Sequence, residues 1–544
     1  MGPEINAKSI LALQRRIEEG KGDIIQLKRA RNSLLNISTR VPPEIQGYIF
    51  RWNVIPVGDF DGLVKGSYNF VLVCHHWFQV ASGTPELWSF WGNTFEQWFK
   101  RHQSSGTAPI DLVLDGSRIS RARVTHDCSL QNALQDRTAS SFIRSIRFRA
   151  VYPDTPTQRF LLSSLIPDGN DVRPSSIQSI KLHNVNLPEF FTRHHFPRLR
   201  HLDLVFSLLT TGLSWDHLSS RLTTLTTLSL VIEHIPFAPS TSQLIAMLAS
   251  NPQLQRLSIR ELAIKPPRDA SPSLASLHHL KTLRLTGDPC TFRLLHHLDL
   301  PEALDNVDFT LLGDCRAEDV RRIYGPYLQD YLCRDSRLQD TLCIYLESTG
   351  GGIAIDVSTF SEADTQAPYQ RERLPFASFR ARLDEAADPG AMDKLFIELI
   401  THLPTEHVRC LRGRMNIAIL EETISVMSNI EELHLVSATI SDGFLQLGSD
   451  STSPNAKLLP SLRLLCLEHP VADHDGWGPL LSYLTHQISG DQAISLKITG
   501  NYLPICPHVV ESIRDLVREL VLDPPLGKPL VVTPFGPWRP LLPD

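Results

Sequence analysis

Residues 225–230 read Leu225-Thr-Thr-Leu228-Ser-Leu230: apolar, two polar, apolar, polar, apolar. The same phrase stands at Ile143-Ile146-Phe148, Ile177-Ile180-Leu182, Leu199-Leu202-Leu204, Leu254-Leu257-Ile259, Leu280-Leu283-Leu285 and Leu304-Val307-Phe309. It returns at Ile430-Leu433-Leu435, Leu462-Leu465-Leu467 and Ala493-Leu496-Ile498. The last two apolar residues of each phrase are two apart, so on a strand they share one face. The first packs on the turn that leads into the strand. Subtracting successive third positions from Leu182 to Phe309 gives steps of 22, 26, 29, 26 and 24 residues. One such unit cannot cover its own apolar face, so neighbouring units have to stack. Helix signals lie between the phrases, as at Leu244, Met247 and Leu248, stopped by Asn251-Pro252.

That period resembles the leucine-rich repeat. The resemblance covers most of residues 105–522 and implies an irregular α/β solenoid. Several units place a further apolar residue five positions on, at Leu187, Leu209, Ile235, Ile264 and Ile440. The asparagine of regular repeats is expected two before it, and Val185, Ser207, Glu233, Leu262 and Ala438 stand there instead. An asparagine ladder is therefore not expected to hold the turns. From 310 to 425 the phrase weakens. Residues 341–346 and 353–357 read as strands, with Gly350-Gly351-Gly352 as either a hairpin turn or a break in the repeat. Residues 361–391, rich in charge, Ala and Pro, read as a loose insertion. Residues 394–402 read as a helix with Leu395, Leu399 and His402 on one side. Ile513, Leu516, Val517 and Leu520 are spaced as a closing amphipathic helix, and a proline-rich tail follows over 523–544.

Toward the N-terminus the pattern changes. Pro42 and Pro43 suit the first turn of a helix, and Glu44 suits its dipole. Ile45, Tyr48, Ile49 and Trp52 then share one face. Breakers crowd residues 56–66, at Pro56, Gly58, Asp59, Asp61, Gly62 and Gly66. Phe70, Val73, Cys74, Trp77, Val80 and Ala81 make a second apolar stripe that ends at Gly83. Thr84-Pro85-Glu86 then reads as the capped start of a third helix carrying Leu87, Trp88 and Trp91. So short a stretch buries little surface on its own. Some of its large apolar side chains should face outward, which usually marks a partner site.

Val41-Pro42-Pro43-Glu44-Ile45 with Ile49-Phe50, then Val73-Cys74-x-x-Trp77, Val80-Ala81 and Thr84-Pro85-Glu86-Leu87-Trp88, resembles the F-box of fungal F-box proteins. Position 41 carries Val where the family usually has Leu, and Gln46 replaces a usual Leu. The resemblance implies docking on the Skp adaptor of a Skp–cullin–F-box ubiquitin ligase, through Val41, Pro42, Pro43, Ile45, Ile49, Phe50, Val73, Cys74 and Trp77. It implies a non-catalytic substrate-recognition subunit, its repeats holding a target protein. The alternative is a leucine-rich-repeat scaffold not coupled to the ligase. The chain thus divides into an N-terminal helix over 1–37, helical residues 38–104, repeats over 105–522 and the tail. The first segment, with Ile10, Leu13, Ile17, Ile24, Leu27 and Leu34 in a three-four alternation broken at Gly20 and Arg31, either packs beside the F-box or self-associates; residues 20–22, Gly-Lys-Gly, are a possible break.

The bulk composition agrees with a protein-binding role. The 544 residues carry 53 basic and 59 acidic side chains, a net charge of −6, so no basic footprint for nucleic acid is present. The nine cysteines include no C-x-x-C pair, which suits reduced thiols in the cytoplasm or nucleus. No apolar run of eighteen and no apolar leader is read, so neither membrane span nor signal peptide is expected. No G-x-S-x-G, phosphate-binding loop or H-E-x-x-H occurs. The histidine pairs 75–76, 194–195, 278–279 and 296–297 read as solvated or capping groups, and Cys333 and Cys343 as packing thiols. No catalytic residue, metal or cofactor is expected. Arg144, Arg147 and Arg149 alternate around an apolar strand, either as a basic strip for an acidic partner or as an ordinary solvated face.

Overall fold

A computed structural model describes residues 12, 14–16, 18–28, 41–54, 73, 75–88, 90–91, 108–115, 142–149, 176–184, 196–206, 215–232, 239–260, 274–302, 304–312, 317–325, 342–349, 352–359, 377–382, 389–414, 417–437, 439–440, 459–472, 477–488, 494–500 and 507–523. Among the described residues the fold is mixed α/β, with parallel sheets and no closed barrel. It forms two compact units, one holding the described residues up to Leu199 and the other those from Arg200 to Asp523.

In the first unit, helices α1 (Pro43–Val54) and α2 (His75–Ser82) and a 3-10 turn over Pro85–Trp88 precede the strands. These are β1 (Phe90–Trp91), β2 (Ile110–Asp115), β3 (Ile143–Arg149) and β4 (Ser179–His183), paired in parallel in that order. Leu112, Ile146 and Ile180 align across three strands, and all are fully buried. The apolar rows therefore stack as the phrase requires. Trp91 corrects the helical reading: it lies on β1, not on a third α-helix. The Thr84 hydroxyl donates back to the Val80 carbonyl at 2.8 Å, closing α2, and the Leu87 amide donates to the Thr84 carbonyl at 3.1 Å. Further upstream, residues 18–28 are continuously helical, so Gly20 and Gly22 do not break that helix. Its Ile24 and Leu27 are exposed.

The second unit begins with β5 (His201–Phe206), β6 (Thr227–Ile232), β7 (Arg256–Arg260), β8 (Thr282–Gly287) and β9 (Asn306–Leu312), all parallel neighbours. Leu202, Leu228, Leu257, Leu283 and Val307 are in register, none more than 1% exposed. Helices α3 (Trp215–Arg221) and α4 (Thr241–Ala249) lie between strands. The Ser240 hydroxyl accepts from the Gln243 amide while the Gln243 side chain accepts from the Ser240 amide, a capping box that fixes the start of α4. At its other end Asn251 is 2% exposed. Its Nδ2 donates to the carbonyls of Leu222 (2.6 Å) and Met247 (2.8 Å), and its Oδ1 accepts from the Leu225 amide at 2.9 Å. One side chain thus ties two successive units together.

Where the phrase weakens, the sheet continues through different chemistry. Strands β10 (Leu342–Thr349) and β11 (Gly352–Thr359) form an antiparallel hairpin with Thr349 opposite Gly352, so the glycine stretch marks a hairpin. Strand β12 (Ala377–Arg382) pairs antiparallel with β11 and parallel with β9. This corrects the loose insertion over 361–391: six of those residues are a sheet strand, and helix α5 (Pro389–Thr401) begins before the segment ends. Strand β10 then pairs in parallel with β13 (Val408–Arg414). From there β14 (Glu432–Val436), β15 (Leu464–Glu468), β16 (Ser495–Thr499) and β17 (Glu519–Asp523) continue in parallel. Helices α6 (Ile417–Val426), α7 (Gly478–Ile488) and α8 (Pro507–Leu516) connect them. The closing helix stops at Leu516, and Leu520 sits instead on β17 opposite Leu496.

Four strands share an ending that the residue pattern does not announce. The second residue after the last apolar position has positive φ at Asn184 (57°), Ser437 (54°), His469 (50°) and Gly500 (86°). The amides of Ser437, His469 and Gly500 donate across to the carbonyls of Glu468, Thr499 and Asp523 at 2.7, 2.8 and 2.9 Å. A left-handed turn at that place keeps the amide in the ladder as the chain leaves the strand. At Gly500 a Cβ would also stand 2.3 Å from the His469 ring, so the site excludes a side chain twice over.

Candidate docking surface and the polar sheet face

The helical part of the first unit has a small core of its own. Phe50, Val80, Ala81 and Leu87 are buried, and Trp77 and Trp88 pack against them. The Phe50 and Trp77 rings are 5.0 Å apart and tilted by 56°. Trp88 Nε1 donates to the Ala81 carbonyl at 2.8 Å, and Gln46 Nε2 donates to the Val41 carbonyl at 2.9 Å. Gln46 is 3% exposed, so this glutamine is turned inward against the residues leading into α1 rather than facing a visitor. A Cβ on Gly47 would reach Thr84 Oγ1 at 3.0 Å, so the glycine lets α1 approach the turn after α2.

The other face of the same helices is apolar and open. Ile45, Tyr48 and Ile49 on α1 are 51%, 63% and 49% exposed; Val73 and Phe78 are 58% and 49% exposed. Pro42 and Pro43 are exposed, while Val41 and Trp77 are half-buried. Phe50 has to be withdrawn from the docking set, because 98% of it is covered by the unit's own core. Cys74 lies outside the described residues. Tyr48, which helical spacing places on the face of Ile45 and Ile49, is exposed with them. Phe78, next to Trp77 and off the stripe that carries buried Val80 and Ala81, belongs to the same exposed apolar surface.

A second surface belongs to the other unit. Between the sealed residues of each strand stand side chains on the opposite sheet face. Arg412 Nη2 approaches Glu468 Oε2 at 3.4 Å, His434 Nε2 approaches Glu432 Oε2 at 3.2 Å, and Arg284 Nε is 3.9 Å from Asp308 Oδ2. Cys343, Cys410 and Cys466 share this region without a disulfide. The Cys410 thiol is pushed up, first by its hydrogen bond with Cys343 and then by burial, and burial raises that of Cys466 to about 11. In the first unit Arg144 is taken up by Asp111 on the neighbouring strand, through both Nε at 3.2 Å and Nη2, and Ser145 Oγ donates to the same carboxylate at 2.6 Å. Arg144 is therefore engaged within the sheet, while Arg149 is exposed.

No protein-family model matches the chain, and no curated protein matches it. Among the described residues no helix is long and apolar enough to cross a membrane.

Proposed function

We propose that the chain is a substrate-recognition adaptor, whose residues 41–88 dock a Skp-type adaptor of a cullin ubiquitin ligase and whose sheet unit holds a target protein. The observation that carries this is the exposure of Ile45 and Ile49 on α1, and of Val73 in the turn before α2, beside helices that already have a packed core behind them. Side chains left out of a completed core are available to a second protein. Five half-exposed apolar residues would contribute roughly 1 kcal/mol each on full burial. Association costs roughly 4–15 kcal/mol in lost freedom, so the flanking Val41, Pro42, Pro43 and Trp77 have to add to the contact. The chemistry would belong to the ligase, and the chain would act by raising the target's effective concentration.

The burial of Phe50 favours a second reading, in which these helices serve only to cap the strands of their own unit. Ile45→Asp combined with Ile49→Asp separates the two. Under the docking reading the double variant keeps its circular dichroism and loses the adaptor in a pull-down. Retention of the adaptor by the variant, or its absence from the wild-type complex, would refute docking and leave the capping role.

A further inference from the structure

We infer that Cys343, Cys410, Glu432 and His434 form a zinc-binding site on the polar face of the second unit's sheet. The residues come from three adjacent strands, and the register brings them together. Cys343 on β10 is the register partner of Cys410 on β13, and Cys410 is the partner of Glu432 on β14. His434 lies two residues beyond Glu432 and so shares its face. One donor atom from each of Cys410, Glu432 and His434 lies within 4.8 Å of the others. The Cys343 thiol, on the register partner of Cys410, stands outside that 4.8 Å group and would have to turn inward to supply a fourth donor.

One edge of the cluster is close to the spacing of a tetrahedral ion. Zinc holds nitrogen and oxygen donors at about 2.0–2.2 Å and sulfur at about 2.3 Å, so neighbouring donors stand roughly 3.3–3.8 Å apart. The His434 Nε2 to Glu432 Oε2 edge is already 3.2 Å. The other edges among Cys410, Glu432 and His434 lie within 4.8 Å, and side-chain rotation would have to shorten them toward that range. The donor set is also selective: two thiols, an imidazole and a carboxylate suit zinc and disfavour magnesium and calcium, which take oxygen. Cys410 is buried, whereas the His434 and Glu432 side chains retain 17% and 15% of their surface, which leaves an entrance from the sheet face. The neighbouring cation Arg412 is turned toward Glu468 rather than occupying the carboxylate of Glu432. On binding, the thiols would give up their protons to solvent and the ion would bridge β10, β13 and β14. These are the strands where the regular phrase gives way to the hairpin, so a metal would pin the irregular part of the sheet to the regular part.

The inference is independent of adaptor docking and is tested on the full chain. Purified protein is dialysed against zinc and then against a weak chelator, and bound metal is counted by mass spectrometry. About one retained zinc per chain is expected. His434→Ala and Cys410→Ser should each weaken retention by more than the roughly 10–100-fold that loss of an outer-shell partner costs. His278→Ala, on an exposed histidine that contacts Ser276 outside the cluster, should leave retention unchanged. Because Cys410→Ser alters a buried position, cobalt is substituted in parallel. Wild type should show a thiolate-to-cobalt charge-transfer band, and His434→Ala, with unchanged circular dichroism, should lose or shift it. A wild-type chain that retains no zinc would overturn the site. So would retention by His434→Ala equal to wild type, or equal losses in the His278→Ala control.

Discussion

The two regions of this molecule use the same kind of side chain in opposite ways. In the second unit, Leu202, Leu228, Leu257, Leu283 and Val307 form one row, and neighbouring strands leave none of them more than 1% exposed. On α1, by contrast, Ile45 and Ile49 remain about half exposed although the helix packs a core on its other side. A repeated unit can cover its apolar face with the next copy, because the next copy presents the same face in register. A three-element helical segment has no next copy. Its apolar surplus stays outside unless another protein covers it.

The largest effect that sharpens this contrast is expected in the row. Leu257→Ala removes a fully packed side chain between β6 and β8, and the flanking strands are too constrained to close the gap. A loss of about 2–5 kcal/mol is expected in denaturant unfolding. A loss below about 1 kcal/mol would mean that the row is loosely packed and that its burial does not distinguish it from the helices.

A smaller loss is expected at Asn251, which tests whether polar ties between units matter beside the apolar rows. Asn251→Ala would leave the Leu225 amide without its side-chain acceptor and the Leu222 and Met247 carbonyls without their side-chain donor. The cost should be about 1–3 kcal/mol, since each group sits in a dry interior. Asn251→Asp, which sets a buried carboxylate oxygen against the Leu222 and Met247 carbonyls, should be less stable than the alanine variant in thermal unfolding. Equal stability of all three proteins would show that the apolar rows alone hold successive units.

What was legible in the sequence follows the same division. The phrase Leu225-Leu228-Leu230 announced strands because period two has one physical meaning, and each phrase covered by the structure lies on or leads into a parallel strand. The hairpin at 350–352 was legible as one of two readings, because glycines permit the turn without demanding it. Strand β12 was not legible: Ala377-Ser-Phe-Arg-Ala-Arg382 has one large apolar residue, and its strand character comes from the vacant edges of β9 and β11 on either side. The positive φ of Ser437 and His469 was hidden because neither residue type advertises it. At the docking surface, Ile45 and Ile49 were assigned to one face by helical spacing, but spacing does not say which flank is inward, and Phe50 fell on the covered flank. The zinc cluster was invisible for a different reason. Its residues are spread from 343 to 434, and only strand register makes them neighbours.

The smallest stability effect is expected where the apolar surface is open, and it is the measurement that could break the contrast outright. Ile49→Asp places a carboxylate on a side chain that is 49% exposed on α1. In the isolated chain the new charge points to water, so unfolding free energy should change by no more than about 0.5 kcal/mol. The same substitution at Leu257, where exposure is 1%, would strand an unpaired charge in the sheet interior and is expected to abolish folding. Two substitutions of like chemistry would then differ because one face is finished by the chain itself and the other is not. If Ile49→Asp instead costs as much as a core truncation, about 2 kcal/mol or more, the α1 face is covered in solution by the protein's own residues. The helical region would then be as closed as the sheet, and a partner would have no apolar surface there to bind.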